Sequence, residues 1–370
     1  AGGAARNVTV TTAGTGDNAK TCTITGTDVF GDAMTEVITS TSSAEAVAGT
    51  KLFLTVTAVE CSAQYAANIK VGSGTHAETT AKILISFESI CIKYRPNLII
   101  VAGDVDSTLA CALAAKKLNI AIAHIESGLR SFDQRMPEEV NRILIDRISD
   151  LLFITEESGI QNCINEGLSD DKLFFVGNTM IDSLKSFLSI SVKNKPWEKF
   201  NLSQNNYILV TIHRPSNVDS LNRLSSIIKL LESLSKLTKI IFPVHPRTNS
   251  RINRFRKKVN SIDLIITEPM AYFEFLGLMA NAKLVITDSG GIQEETTFLG
   301  VPCLTIRENT ERPVTVDIGT NQIIGLDTKL AFNKAKLIIE GKGKKGRIPK
   351  YWDGKSAIKI VDIIDKYIKR

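Results

Sequence analysis

Lys283 to Thr297 reads KLVITDSGGIQEETT. The apolar run Leu284–Ile286 stops at Thr287, Asp288 and Ser289. Gly290 and Gly291 follow, and Ile292, Gln293, Glu294 and Glu295 open a helical pattern. A buried strand therefore ends on a glycine pair and runs into a helix. Glycines let a ligand approach the backbone closely. A helix start offers unpaired N–H groups and a positive dipole end, which suits a phosphate or diphosphate. Ser289 can add a hydrogen bond. Glu294 or Glu295, a turn further on, can accept from hydroxyls such as a ribose diol. The plainer reading of these acids is that they favour the helix dipole. The stretch is neither G-x-G-x-x-G nor a P-loop, so NAD and ATP chemistry are poorly supported.

The same grammar runs outward from this stretch. HAETTAKILISFESICIKY reads as a helix, NLIIVAGD as a strand, STLACALAAKKL as a helix and IAIAHIE as a strand. PEEVNRILIDRI is a helix, DLLFIT and KLFFVGN are strands, and ESGIQNCINEG is a helix between them. YILVTIH, KIIFPVH and DLIITEP repeat the pattern, each followed by a helix. Uniformly apolar strands alternating with helices imply a parallel sheet covered on both faces. The expectation is an α/β chain with two doubly wound Rossmann-like domains facing each other across a cleft. Residues 76–178 form the remainder of the first and 179–370 form the second. The amphipathic end, 352–370, packs back as a helix.

Residues 1–75 differ. They are rich in Thr and Val, alternate with period two and are broken by Gly, Asp, Asn and Ser. That pattern predicts short antiparallel strands. The TITGTDVFGDAMTEVI stretch resembles small β modules of bacteriophage structural proteins.

The 370 residues, 43% hydrophobic, suffice for two or three domains with cores of their own. The net charge of +6 is mild. Much of it lies in EGKGKKGRIPKYWDGK, read as a solvated loop rather than a nucleic-acid patch. No apolar run reaches membrane-spanning length, and no signal peptide is evident. The six cysteines form no CxxC pair and lie at no metal-ligand spacing, which fits free thiols in a cytoplasmic protein without structural zinc.

In parallel α/β sheets, ligands bind beyond the carboxyl ends of the strands. The residues in that place are Asp104, Glu126, His213, His245, and Asp288 with Ser289. Two acids from one block and two histidines with a Ser-Gly-Gly from the other point to a cleft site. In MPEEVNR, Glu138 lies one turn from Arg142, a spacing that serves a helix opening and a functional acid equally well. Arg312 in ENTERP and Arg247 in HPRT are candidate anion ligands. Arg130, Arg142, Arg214 and His245 complete the weaker set.

VAGDVDSTLA, AHIESGLRSFDQRMPEEVNR, FFVGNTMIDSL, VTIHRPSNVD, TDSGGIQEE and RENTERPVT together resemble the non-hydrolysing UDP-N-acetylglucosamine 2-epimerases. The resemblance runs from about Val71 to the C-terminus. It implies the two-domain glycosyltransferase-B architecture and a homodimer. It implies catalytic roles for Asp104, Glu126, Glu138 and His213. It implies that Ser289, Gly290, Gly291 and Glu295 hold UDP, with Arg312 near the substrate and Phe275 against the uracil. It implies loss of UDP to 2-acetamidoglucal and re-addition with inverted C2, without metal or cofactor. The family opens with a strand and a Gly-Thr-Arg-Pro-Glu loop, where residues 1–75 stand here. The first domain is therefore expected to lack its first strand and to leave an apolar edge beside NLIIVAG. Three other readings stay open: a β module fused to a truncated epimerase that only binds UDP, a hydrolysing epimerase, and a UDP-sugar glycosyltransferase.

Overall fold

The structure is a computed structural model. The structure describes residues 6–11, 20–28, 32–39, 46–53, 55–61, 70–73, 76–244, 248, 252 and 263–369. The chain divides into two compact units, residues 1–125 with 134–151 and residues 126–133 with 152–370.

The first unit begins with strands β1 (Arg6–Thr11), β2 (Thr21–Thr27), β3 (Ala33–Thr39), β4 (Ala46–Phe53), β5 (Thr55–Cys61) and β6 (Lys70–Ser73). They make two antiparallel three-stranded sheets, ordered β4-β1-β6 and β3-β2-β5. Alternate residues of β2 are buried, as a half-covered strand requires. Val8 and Val10 of β1 share a core with Cys22, Ile24 and Ile38 from the other sheet. Cys22 pairs with Cys61 across β2 and β5, and their sulfurs lie 3.2 Å apart.

The remainder of this unit is α/β. Strand β7 (Leu98–Ala102) pairs in parallel with β8 (Ala121–Ser127). Helices His76–Tyr94, Asp106–Lys117 and Pro137–Ile148 cover them. Ile99, Val101, Ala112, Ala115, Ile122 and Ile145 form the core. Among the described residues, β7 is an end strand of its sheet, and Ile100 is 54% exposed.

β8 carries the chain into the second unit. There β9 (Leu151–Ile154) pairs in parallel with β10 (Leu173–Phe175). Then follow β11 (Tyr207–Thr211), β12 (Lys239–Pro243), β13 (Leu264–Thr267), β14 (Leu284–Thr287), β15 (Cys303–Thr305) and β16 (Asn321–Ile323). These last six form a parallel sheet ordered β13-β12-β11-β14-β15-β16. Both faces are covered. Ile208 and Val210 face one core with Leu224, Ile227 and Leu231, while Tyr207 and Leu209 face another with Leu184, Leu276 and Met279. The order grows outward from β11 to β13, then returns to start β14 on the other side of β11. The switch point lies between β11 and β14, where such sheets bind ligands.

One detail differs from expectation. The basic loop 341–355 is anchored, not merely solvated: Trp352 is buried and donates Nε1–H to the Thr155 carbonyl at 3.0 Å. The final helix, Ser356–Ile368, buries Ser356 and Ile360 but leaves Ile358, Val361 and Ile368 exposed. Its start is tied to the helix Thr179–Lys193, where the Asp182 carboxylate accepts from the Ser356 and Ala357 N–H groups. Among the described residues no helix is long and apolar enough to cross a membrane.

Candidate active site

At the switch point of the second unit, β11 exits into His213 and β14 into Asp288. Asp288 is wholly buried. Its carboxylate accepts from the His213 N–H at 3.1 Å, the Arg214 N–H at 2.9 Å and Asn217 Nδ2 at 2.9 Å, and His213 Nδ1 lies 3.2 Å away. Burial alone would raise the Asp288 pKa, but these donors hold it below the ordinary value. Asp288 therefore locks two strand ends together and orients the His213 ring, which is 26% exposed.

The helix Gly290–Leu299 starts one residue later. Ser289 is its N-cap, with extended φ −85° and ψ 136°, and its hydroxyl makes no cap hydrogen bond. The first-turn N–H groups have no intrahelical acceptor. The glycine pair has a second reason beyond ligand approach. A Cβ on Gly290 would lie 2.5 Å from Arg312 Nη1 and 2.6 Å from Glu311 Oε1, and one on Gly291 would lie 2.9 Å from Met180 Cε. Gly290 thus lets a guanidinium lie against the helix start.

Arg312 is 8% exposed and sits among carboxylates. Its Nη2 donates to Glu126 Oε1 at 2.6 Å and its Nη1 to Glu311 Oε1 at 2.5 Å. Its Nε lies 2.9 Å from Glu294 Oε1 without being aligned for a hydrogen bond. Glu311 is also paired with Arg307 at 2.7 Å. Glu294 is wholly buried, accepts from Asn178 Nδ2 at 2.8 Å, and leaves Oε2 without a partner. Burial pushes its pKa up to about 8 against the pull of Arg312. Glu156, also buried, is pushed by burial to about 7, with a hydrogen bond from Ser158 and the charge of Arg312 opposing.

Glu126 itself has φ +73°, a left-handed backbone that a non-glycine side chain enters at a cost of about 1–3 kcal/mol. Two residues on, Gly128 has φ +79°, and a Cβ there would lie 2.5 Å from the Gly159 carbonyl oxygen. Such strain is typical of functional positions.

Glu295, the acid assigned to UDP, is buried and accepts from the Tyr272 hydroxyl at 2.8 Å; burial raises its pKa and Tyr272 opposes the rise. Phe275 lies in the helix Tyr272–Ala280, half-buried against the apolar core. Arg214 stands beside His213, with Nε 3.3 Å from the Asp288 carbonyl and Nη2 3.9 Å from Glu311. Arg130 is engaged elsewhere: Nε and Nη2 grip Glu166 at 2.7 Å each, and Nη1 donates to the Leu129 carbonyl. His245 and Arg247 lie outside the described residues.

In the first unit, Asp104 follows β7 and Gly103, which has φ +72°. Arg142 Nε donates to Asp104 Oδ2 at 2.8 Å, and Arg142 also pairs with buried Glu139. Asn141 Nδ2 donates to the Asp104 carbonyl at 2.8 Å. Glu138 occupies the first turn of the helix Pro137–Ile148, half-buried, with no hydrogen bond or ion pair among the described residues. It is an available carboxylate.

Sequence reasoning passed over Glu156, Glu311 and Asn217. Glu156 was findable, because it follows DLLFIT as Asp288 follows KLVIT. Glu311 and Asn217 act through contacts distant in sequence, and no local pattern marks them.

The UDP-N-acetylglucosamine 2-epimerase family model matches residues 36–365, starting earlier than the textual resemblance near Val71. The chain belongs to this family. It is 43% identical over 305 residues to a UDP-N-acetylglucosamine 2-epimerase of Methanococcus maripaludis, covering 80% of this chain and 83% of that one. It is 37% identical to the UDP-2,3-diacetamido-2,3-dideoxy-D-glucuronate 2-epimerase of Pseudomonas aeruginosa, covering 80% of this chain and 83% of that one. A crystal structure of the Methanocaldococcus jannaschii UDP-GlcNAc 2-epimerase, in complex with UDP-GlcNAc and UDP, is similar with a TM-score of 0.70 at 40% identity, over 79% of this chain and 83% of that chain.

Proposed function

We propose that the chain interconverts UDP-N-acetylglucosamine and UDP-N-acetylmannosamine. The relatives named above differ in their sugars and share the 2-epimerase designation, which supports chemistry at C2. The observation that carries the reading is Arg312. One guanidinium lies against Gly290 at the helix start and is held by Glu126 at 2.6 Å. The cation suited to a departing diphosphate is thus coupled to a carboxylate suited to proton transfer.

The chemistry needs both. A sugar C2–H is hardly acidic. It becomes so when the C1–O bond breaks and its electron pair leaves on UDP. A carboxylate then takes the C2 proton, giving 2-acetamidoglucal. Re-addition of UDP to C1, with protonation of the opposite face of C2, gives the epimer. Inversion requires proton delivery from a face other than that of removal, so two groups share the work. The helix-start N–H groups, Ser289 and Arg312 stabilise the diphosphate, and Glu295 serves the ribose. Phe275 stands against the uracil, and His213 is held ready by Asp288. Asp104, Glu126 and Glu138 carry the proton work, as the family resemblance assigns it. The working unit is a homodimer, and the enzyme acts in the cytoplasm.

Incubation with UDP-N-acetylglucosamine, followed by anion-exchange separation, tests the reading. The expected product is UDP-N-acetylmannosamine without an equivalent of free UDP. Free UDP in proportion to released sugar, or product only with an added acceptor, contradicts it.

A further inference from the structure

His124 lies in β8, and its side chain is wholly buried. Its Nδ1 is 2.7 Å from Asp146 Oδ1, and Asp146 is wholly buried too. Its Nε2 is 2.9 Å from the carbonyl oxygen of Gly103. The Gly103 carbonyl can only accept, so Nε2 carries hydrogen, and one proton bridges Nδ1 and the Asp146 carboxyl. Asp146 fixes the ring orientation and so aims Nε2–H at the Gly103 carbonyl.

The group held is the peptide just before Asp104. Each carbonyl of this turn has its own donor. Thr108 Oγ1 donates to Ala102 at 2.9 Å, His124 to Gly103, and Asn141 Nδ2 to Asp104 at 2.8 Å. The Gly103 N–H donates to the Ile125 carbonyl at 3.1 Å. Arg142 then sets the Asp104 carboxylate. We propose that His124, oriented by Asp146, is a positioning residue that fixes the Gly103–Asp104 peptide so that the Asp104 carboxylate is presented for proton transfer in the epimerisation. This rests on the function proposed above, while the clamp itself rests on geometry alone.

Three readings on the full-length chain test it. The first is a long-range 15N–1H spectrum of the histidine rings, with the His124 signals assigned by their loss in His124→Gln. Nε2 is expected to be protonated at pH 7.5; a deprotonated Nε2 overturns the proposal. The second is amide hydrogen exchange. Breaking one partner of a buried pair risks misfolding, so His124→Phe/Asp146→Leu removes both partners together. Exchange across residues 103–106 should rise in that double variant and stay near wild type in Asp146→Asn, which keeps the ring N–H on Gly103. Unchanged exchange in the double variant overturns the clamp. The third is turnover. The double variant should lose about 10–100-fold in kcat, the usual scale for a group acting through another, with KM little changed. In an Asp104→Asn background the same change should cost almost nothing more. An equal further loss there means a general structural role and overturns the positioning. A wild-type chain that turns over no sugar nucleotide would reject the proposed function, while ring protonation and amide exchange would still decide the clamp.

Discussion

Two arginines, one in each unit, hold carboxylates of the candidate site, and they do so differently. Arg142 joins Asp104, whose side chain is 29% exposed, to buried Glu139. Arg312 is shared among Glu126, Glu294 and Glu311, with Glu156 within electrostatic reach. Water can share the charge of Asp104. It cannot reach Glu294, so protons take up what the guanidinium does not neutralise, and Glu294 and Glu156 titrate at about 8 and about 7. The first arrangement orients a carboxylate. The second also stores protons near neutral pH beside the cation assigned to the diphosphate.

Removing each arginine should show the largest difference. Arg312→Met leaves buried acids uncompensated, a loss of about 3–5 kcal/mol. It should also abolish detectable UDP binding in calorimetry. Arg142→Met should cost less in chemical denaturation, because Asp104 can be hydrated, and should leave UDP binding intact. Equal losses would remove the distinction.

A smaller effect should appear in the pH dependence of stability. The folded pKa of Glu294 is raised from 4.5 to about 8, and that of Glu156 from 4.5 to about 7. Their contribution is fully present below about pH 4.5 and is lost as pH rises to about 8 and about 7. Asp288 works oppositely: its pKa is lowered from 3.8, so its contribution holds above that value and is lost as pH falls below it. Thermal midpoints should therefore fall between pH 5 and 8 in the wild type. Glu294→Gln should flatten most of that fall. An unaltered slope would mean that Glu294 is ionised in the fold.

Much of this was legible in the sequence. The apolar runs marked the strands because parallel strands are buried on both faces, and polar residues at their ends marked Asp104, Glu126, His213 and Ser289. The three-residue strands β15 and β16 escaped because CLT and NQI carry too little pattern. The His124–Asp146 pair escaped because a histidine inside IAIAHIE reads as one polar residue in a strand, and its partner is 22 residues away. The distinct tasks of Glu294 and Glu295 could not be read from adjacent acids. Folding turns one to Arg312 and Asn178 and the other to Tyr272.

The smallest stability effect is expected at Gly290. Gly290→Ala puts a methyl into the space of the Arg312 and Glu311 side-chain ends, which can shift at modest cost in stability. Turnover should fall more than stability does, because the displaced group is the proposed diphosphate cation. A stable variant with wild-type kcat would detach Gly290 from the site.

The decisive experiment is to incubate the chain with UDP-N-acetylglucosamine in D2O and follow the C2 proton by NMR. Elimination and re-addition by exchangeable carboxylates should place deuterium at C2 in the UDP-N-acetylmannosamine formed. Full conversion with protium retained at C2 would contradict carboxylate proton transfer. UDP bound without any conversion would contradict the epimerase itself.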